Sequence, residues 1–206
     1  PEPFVQPFRL NTAGLPFAVE AERRLVQVDA DTWQVELLAS NLLGTIRETS
    51  LFTWHGCVPR TLEYRYVREG LGRKREAVVR LDRAAGLARV QHSRRGELEY
   101  AIGPDTTDKL ALGLGLQCRL REGGALVFDV AEEKRLSEHR FLIEGEELLE
   151  TPVGALQTVR VLRDRGPDSE RQTRLWFAIE RDYALVRLVQ EEDGKRHELM
   201  IASPDG

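Results

Sequence analysis

The sequence contains few of the residues that build common metal and catalytic sites: two cysteines, four histidines and one methionine in 206 residues. The histidines His55, His92, His139 and His197 are not paired at a metal-ligand spacing, and the chain has no HExxH segment. His139 has charged neighbours, which predicts a solvent-exposed strand position. No serine lies in a Gly-x-Ser-x-Gly elbow. We therefore predict that the protein is not an enzyme, and we expect no catalytic residue, metal site or cofactor.

The two cysteines are too few for a disulfide scaffold. Cys57 and Cys118 are either two buried free thiols, which we expect, or a disulfide formed in an oxidising compartment. Neither cysteine belongs to a closely spaced redox or zinc motif. Sequence alone does not give the distance between their Cα atoms, so the pairing stays open at this point.

Excess positive charge and long apolar runs are also missing. Lys and Arg number 30 against 34 Asp and Glu, for a net charge of −4, which argues against a general nucleic-acid binder. No apolar run reaches the length of a membrane-spanning helix, so we expect a protein that does not span a membrane. The first residue is Pro1, which fits either removal of a signal peptide or trimming of the chain, and these alternatives stay open.

Alternation of apolar and polar residues is the dominant pattern, and it predicts strands with one face buried and one in water. Glycine-containing turns separate the strands, and Asp193-Gly194 is the clearest hairpin turn. Short connections indicate an antiparallel meander, and long strands favour strong curvature into an incomplete barrel. The predicted strands span residues 7–12, 15–28, 33–40, 45–54, 59–69, 73–82, 87–93, 96–102, 125–131, 134–145, 147–151, 155–164, 171–179 and 183–202.

One segment departs from the strand pattern. Pro104 to Asp108 has the acids and the capping residue of a helix start, and Gly123-Gly124 ends the apolar stretch that follows. Alternating leucines also fit a strand, and two internal glycines weaken a helix by about 1 kcal/mol each. The entry and exit signals favour a helix at about residues 106–122, inserted in a single barrel-like domain of residues 1–206.

Rows of apolar residues on predicted strands and on this helix suggest a ligand site. Aromatic and aliphatic side chains with a shared strand parity can line an apolar pocket on the concave face of a sheet. Ordinary core packing is the alternative explanation for the same rows. The candidate ligand-binding residues are Phe52, Trp54, Leu62, Tyr64, Leu110 and Leu114.

Several segments carry a family resemblance. They include Ala13-Gly14-Leu15-Pro16-Phe17, Leu62-Glu63-Tyr64-Arg65-Tyr66, Asp105-Thr106-Thr107-Asp108, Glu150-Thr151-Pro152-Val153-Gly154-Ala155-Leu156-Gln157-Thr158-Val159 and Leu175-Trp176-Phe177-Ala178. Together they resemble a bacterial family of exported proteins known as domain of unknown function 3108. The resemblance implies a mostly β fold and a periplasmic or envelope location after removal of a signal peptide. It transfers no active site.

A fold-level analogy links such curved antiparallel sheets to lipoprotein carriers, which hold acyl chains on an apolar concave face. Our leading hypothesis is therefore a periplasmic protein that binds or carries a lipid, an acyl chain or another apolar ligand, with the helix as a lid. The alternative is an interaction or assembly module of the cell envelope without a small-molecule ligand. The sequence does not identify its protein partner.

Overall fold

This computed structural model describes residues 2–14, 18–42, 44–70 and 72–203. These residues form fifteen strands, one α-helix and a short 3-10 turn, which confirms the predicted all-β fold with one inserted helix. The strands are β1 (Phe4–Thr12), β2 (Val19–Gln27), β3 (Thr32–Asn41), β4 (Gly44–His55), β5 (Val58–Gly70), β6 (Arg73–Asp82), β7 (Leu87–His92), β8 (Gly96–Ala101), β9 (Thr107–Asp108), β10 (Val127–Ala131), β11 (Leu136–Thr151), β12 (Gly154–Asp164), β13 (Gln172–Ala178), β14 (Ala184–Glu192) and β15 (Lys195–Ile201).

Most strands lie where the alternation predicts them. The predicted strand at 15–28 includes residues 15–17, which lie outside the described part of the chain. The two predicted strands at 134–145 and 147–151 form the single strand β11, because an irregularity between Ile143 and Gly145 bends the strand without ending it. The predicted Asp193-Gly194 hairpin is confirmed: Glu192 pairs with Lys195, and Gly194 has a φ of 69°.

The chain divides into two compact units, each assembled from three segments. Unit 1 comprises residues 1–5, 22–115 and 128–138. Its strands β3 to β8 pair antiparallel in chain order, while β9 and β10 form a short parallel pair. β8 and β9 lie at the two ends of the strand order, so the sheet does not close through either strand among the described residues.

Unit 2 comprises residues 6–21, 116–127 and 139–206, described here as far as residue 203. Its strands follow the antiparallel order β1-β15-β14-β13-β12-β11. Val161, Phe177 and Val186 are fully buried and form part of its interior. The prediction of one domain over residues 1–206 stays a prediction.

The helix α1 (Leu112–Glu122) begins later than the predicted residue 106. Residues 107 and 108 form β9 instead, and the Asp108 side chain stabilises the turn that follows this strand. Its Oδ1 accepts hydrogen bonds from the Leu110 and Ala111 amides at 2.8 and 3.0 Å. The predicted acidic capping residue is therefore present, but it caps the turn before the helix and not the helix itself. At the other end, Gly123 has a φ of 84°, which suits a glycine after a helix.

Two expectations about single residues are wrong. His139 is only 2% exposed because it shares the buried positions of β11 with Phe141, whose ring centroid lies 6.5 Å away. The expectation of two free thiols also fails, since both Cys57 and Cys118 are disulfide-bonded. Among the described residues, no helix combines the length and apolar character that crossing a membrane requires.

Candidate functional site

Two apolar clusters in unit 1 contain most of the predicted site residues. The Phe52 cluster consists of buried side chains, with Phe4, Trp54 and Leu110 partly buried against it. Phe52 has no exposed surface, and its ring meets that of Trp54 edge-on at 5.4 Å. The buried members are Leu25, Trp33, Val35, Phe52, Ala111 and Leu114.

The second group, the Tyr64 cluster, is also flanked by partly buried apolar side chains. Its buried members are Tyr64, Val79, Leu81, Ala88, Val90 and Ala131. Its partly buried neighbours are Tyr66, Leu98, Tyr100, Ile102 and Leu110. Leu110 packs against both clusters, so it is the residue at which the two apolar surfaces meet.

Leu62 is the one predicted site residue that belongs to neither cluster. The pairing of β4 with β5 passes from Leu51↔Glu63 to Phe52↔Thr61, which leaves Leu62 as an extra residue in a β-bulge. The bulge reverses the parity of β5, so Thr61 and Tyr64 are both buried while Leu62 is only partly so. Strict alternation therefore does not hold across Leu62.

A charged group covers one margin of the Tyr64 cluster. The Tyr64 hydroxyl donates a 2.6 Å hydrogen bond to Glu48 Oε2, and Lys109 Nζ lies 3.5 Å from the same oxygen. The Lys109 ammonium also sits 5.2 and 5.1 Å from the ring centroids of Tyr64 and Tyr66. Burial, together with the Glu48 carboxylate, raises the pKa of Tyr64 well above its ordinary value. The phenol is therefore a neutral donor at neutral pH.

A second charged group lies beside Tyr66. Glu133 Oε2 is 2.7 Å from Arg75 Nη2 and 3.4 Å from His92 Nε2. The Arg75 guanidinium stacks over the Tyr66 ring at 5.2 Å. His92 Nδ1 accepts a hydrogen bond from the Arg94 amide at 3.0 Å. These contacts hold polar side chains at the border of the apolar surface.

Asp108 holds the segment that carries Lys109 and Leu110. Its side chain is fully buried, and Oδ2 accepts hydrogen bonds from the hydroxyls of Ser50 and Thr61, the latter at 2.6 Å. Burial raises the pKa of Asp108, although these hydrogen bonds and those from two backbone amides act in the opposite direction. Asp108 thus fixes the position of Leu110 between the two clusters.

Arg23 is a buried cation beside the Phe52 cluster. It occupies a buried position of β2, next to Leu25 in the alternation, and only 4% of it is exposed. Its guanidinium lies over the Phe4 ring at 5.4 Å, and its Nη2 has no hydrogen-bond partner. Burial lowers the pKa of Arg23 to about 10, so the side chain is still charged at neutral pH.

Sequence reasoning missed Arg23, although its parity was visible. The strand reads Val19, Ala21, Arg23, Leu25 at its buried positions, so the arginine occupies an inward position in an otherwise apolar row. Trp54 adds a second unusual donor to the same cluster, because its indole Nε1 is buried and also lacks a hydrogen-bond partner. Buried donors without acceptors are uncommon in native proteins and call for an explanation.

Comparisons with known proteins agree with the fold and give no function. The family model described as "Protein of unknown function (DUF3108)" matches residues 8–195. The chain is similar to a solved beta-barrel-like protein of domain of unknown function DUF1849 from Brucella abortus, with a TM-score of 0.61 and 8% identity over 98% of this chain and 96% of that one. That likeness agrees with the predicted barrel-like fold. None of the curated proteins compared with the chain matches it significantly.

Proposed function

Because the chain belongs to the DUF3108 family, whose description states no function, we propose from the site itself that the protein binds an apolar ligand such as a lipid or acyl chain. The observation that carries the proposal is the position of Leu110. This partly buried side chain joins two apolar clusters, and the side chains that flank both of them also remain partly exposed. An acyl chain laid along this surface would complete its burial.

The expected source of affinity is removal of apolar surface from water. Each buried methylene contributes about 0.8 kcal/mol before the costs of ordering the ligand, so a long acyl chain offers ample stabilisation. The polar margin formed by Glu48, Lys109 and Tyr64 would fix the orientation of the ligand, since a few placed polar groups usually supply specificity in apolar sites.

We also propose that the protein acts in the periplasm and without catalysis. The disulfide-bonded state of Cys57 and Cys118 supports an oxidising compartment, because disulfides persist there and are rare in the cytosol. Thiol labelling of intact cells tests the location. Both cysteines should resist a maleimide reagent until a reductant is added, and immediate labelling of both would contradict it.

The ligand proposal is tested by native mass spectrometry and by titration with a fluorescent fatty acid. We expect a stoichiometric acyl species to co-purify, and Leu110→Asn to weaken binding by at least tenfold through loss of apolar contact. Leu42→Asn is the matched control, because Leu42 is fully exposed and should leave the affinity unchanged. Circular dichroism checks that both variants fold. Equal binding by both variants, or a wild-type protein that binds no apolar probe, would refute the proposal.

A specific observation favours a second candidate function, protein interaction through β11. Ile143 and Leu148 are 58% and 65% exposed. Ile143 lies directly opposite Val161, and Leu148 directly opposite Gln157, so both share the sheet face of the buried Val161. A photocrosslinking residue at position 148 should capture one defined partner, and the same residue at exposed position 42 should not. Identical crosslinks from both positions would argue against this interface.

A further inference from the structure

Arg23 carries a charge that nothing in the described protein neutralises. Its neighbour Arg24 is exposed and forms an ordinary surface ion pair with Glu22 at 3.0 Å. Arg23 points to the buried side of the same strand, and it has no ion-pair partner in residues 2–14, 18–42, 44–70 and 72–203. Buried charges in native proteins are almost always paired, because an isolated one loses several kcal/mol of solvation.

The contact with Phe4 does not replace a counter-ion. A cation over an aromatic ring is stabilised by the ring's negative face, but the ring supplies no hydrogen-bond acceptor to the guanidinium N–H groups. Nη2 therefore stays an unsatisfied, charged donor. A guanidinium in this condition favours a carboxylate or a phosphate, which can accept two parallel hydrogen bonds from its planar fork.

The first turn of α1 lies against the same guanidinium. A Cβ built on Gly113 would be 3.3 Å from Arg23 Nη2, so the arginine packs against the helix where a side chain is missing. The amides of Leu114 and Gly115 donate to the Ala111 carbonyl oxygen at 2.9 and 3.3 Å, and the N-terminal end of a helix carries partial positive charge. Asp108 satisfies the amides of Leu110 and Ala111, which precede the helix. The buried Arg23 guanidinium and the positive N-terminal end of α1 therefore lie next to each other.

We propose that Arg23 and the first turn of α1 receive the anionic group, a carboxylate or a phosphate, of the apolar ligand. This proposal rests on the proposed ligand binding and names the ligand class: acidic amphiphiles rather than neutral ones. The geometry supports it because Phe4, under the guanidinium, and Leu114, one residue after Gly113, both pack in the Phe52 cluster. An acyl chain on that cluster would bring its acidic end to Arg23.

The test compares three probes on the wild-type protein by calorimetric titration: hexadecanoic acid, hexadecanol and inorganic phosphate. We expect the acid to bind at least tenfold more tightly than the alcohol, since a hydrogen-bonded charge pair distinguishes the two. This comparison does not depend on any variant folding. Phosphate alone should bind weakly, which separates a headgroup site from a free-anion site.

The variants Arg23→Met and Arg24→Met complete the design. Arg23→Met should bind the acid and the alcohol with equal affinity, whereas Arg24→Met should keep the wild-type preference for the acid. Equal binding of acid and alcohol by the wild type would overturn the role of Arg23 and leave the proposed function intact. Binding of phosphate alone, lost in Arg23→Met, would keep the anion site but refute the apolar ligand. Failure to bind all three probes would overturn both proposals.

Discussion

Replacing Arg23 with methionine is expected to stabilise the protein when no ligand is bound. Methionine has a similar length and no charge, so the variant keeps most of the packing of the buried side chain and removes the unsatisfied Nη2 donor. Most buried substitutions destabilise a protein. A gain here would therefore show that the wild-type residue is retained for a purpose other than stability.

The magnitude follows from the pKa of Arg23, which burial lowers well below its ordinary value, to about 10. At about 1.4 kcal/mol per pKa unit, the charged form is disfavoured in the folded protein by about 3 kcal/mol. Because the folded pKa is lower than the unfolded one, this penalty is complete below about pH 10 and is relieved only at higher pH. Loss of the Phe4 contact offsets about 1 kcal/mol, which leaves a net gain of about 2 kcal/mol at pH 7.

The assay is thermal and urea-induced unfolding of ligand-free, delipidated protein. For a chain of this size, about 2 kcal/mol raises the melting temperature by about 4–8 °C. Arg24→Met, the exposed control, should change the unfolding free energy by less than about 0.5 kcal/mol. A loss of more than about 1 kcal/mol in Arg23→Met would refute the reasoning, because it would mean that the guanidinium has a stabilising counter-charge.

Three further perturbations test the surroundings of the site. Gly115→Ala should destabilise the protein by about 1–3 kcal/mol in urea unfolding despite better helix propensity, because its Cβ would lie 2.9 Å from Phe128 Cε1 and 3.1 Å from the Cys57 carbonyl oxygen; an increase in stability would contradict this packing. The raised pKa of Asp108 means that its contribution to stability is complete below its ordinary pKa of 3.8 and declines as the pH rises through the higher folded value. Asp108→Asn should lack that decline, and identical pH profiles of the two proteins would exclude it. Serine at both Cys57 and Cys118 should lower the unfolding free energy by about 2–5 kcal/mol, and no change would argue against the disulfide.

The strands were predictable because their faces differ in polarity. The predicted ends of β5 and β6 lie within a residue or two of the observed ones, and Gly194 supplies the positive φ that a tight hairpin needs. The all-β class follows from these local signals. Most of the pairing order also follows, because consecutive strands joined by short turns become neighbours. The pairing of β1 with β15 and the parallel pairing of β9 with β10 do not follow from that rule.

The sequence-based predictions fail where contacts between distant segments override the local pattern. The alternation of β5 is interrupted by one inserted residue, Leu62, and no sequence pattern marks a bulge without glycine. Asp108 looks like a residue inside the first turn of a helix, yet its carboxylate is taken by Ser50 and Thr61 from other strands. The oxidation state of a cysteine depends on a distance between distant segments, which sequence does not give.

Arg23 shows a different limit of sequence reading. Arg23 lies at an inward position in the alternation of β2. Charged residues are almost never fully buried unless they are paired, so the sequence alone favours a solvent-exposed arginine at this position. The residue that breaks the expected pattern is the one on which the ligand proposal depends. Conflicts between local pattern and observed burial are most informative at such sites.

The open end of the strand order at β8 bears on how this protein behaves at high concentration. β8 has only six residues and pairs with β7 on one side, and no strand in the described part of the chain pairs with its other edge. A free edge of this kind is where a second chain can add a strand and start a fibre. Glu97 and Glu99 are exposed along this strand, and Glu99 is held by Arg89 at 2.8 Å. Two negative side chains on so short a strand repel an identical strand and resist polymerisation. We therefore expect the protein to resist edge-to-edge association at high concentration.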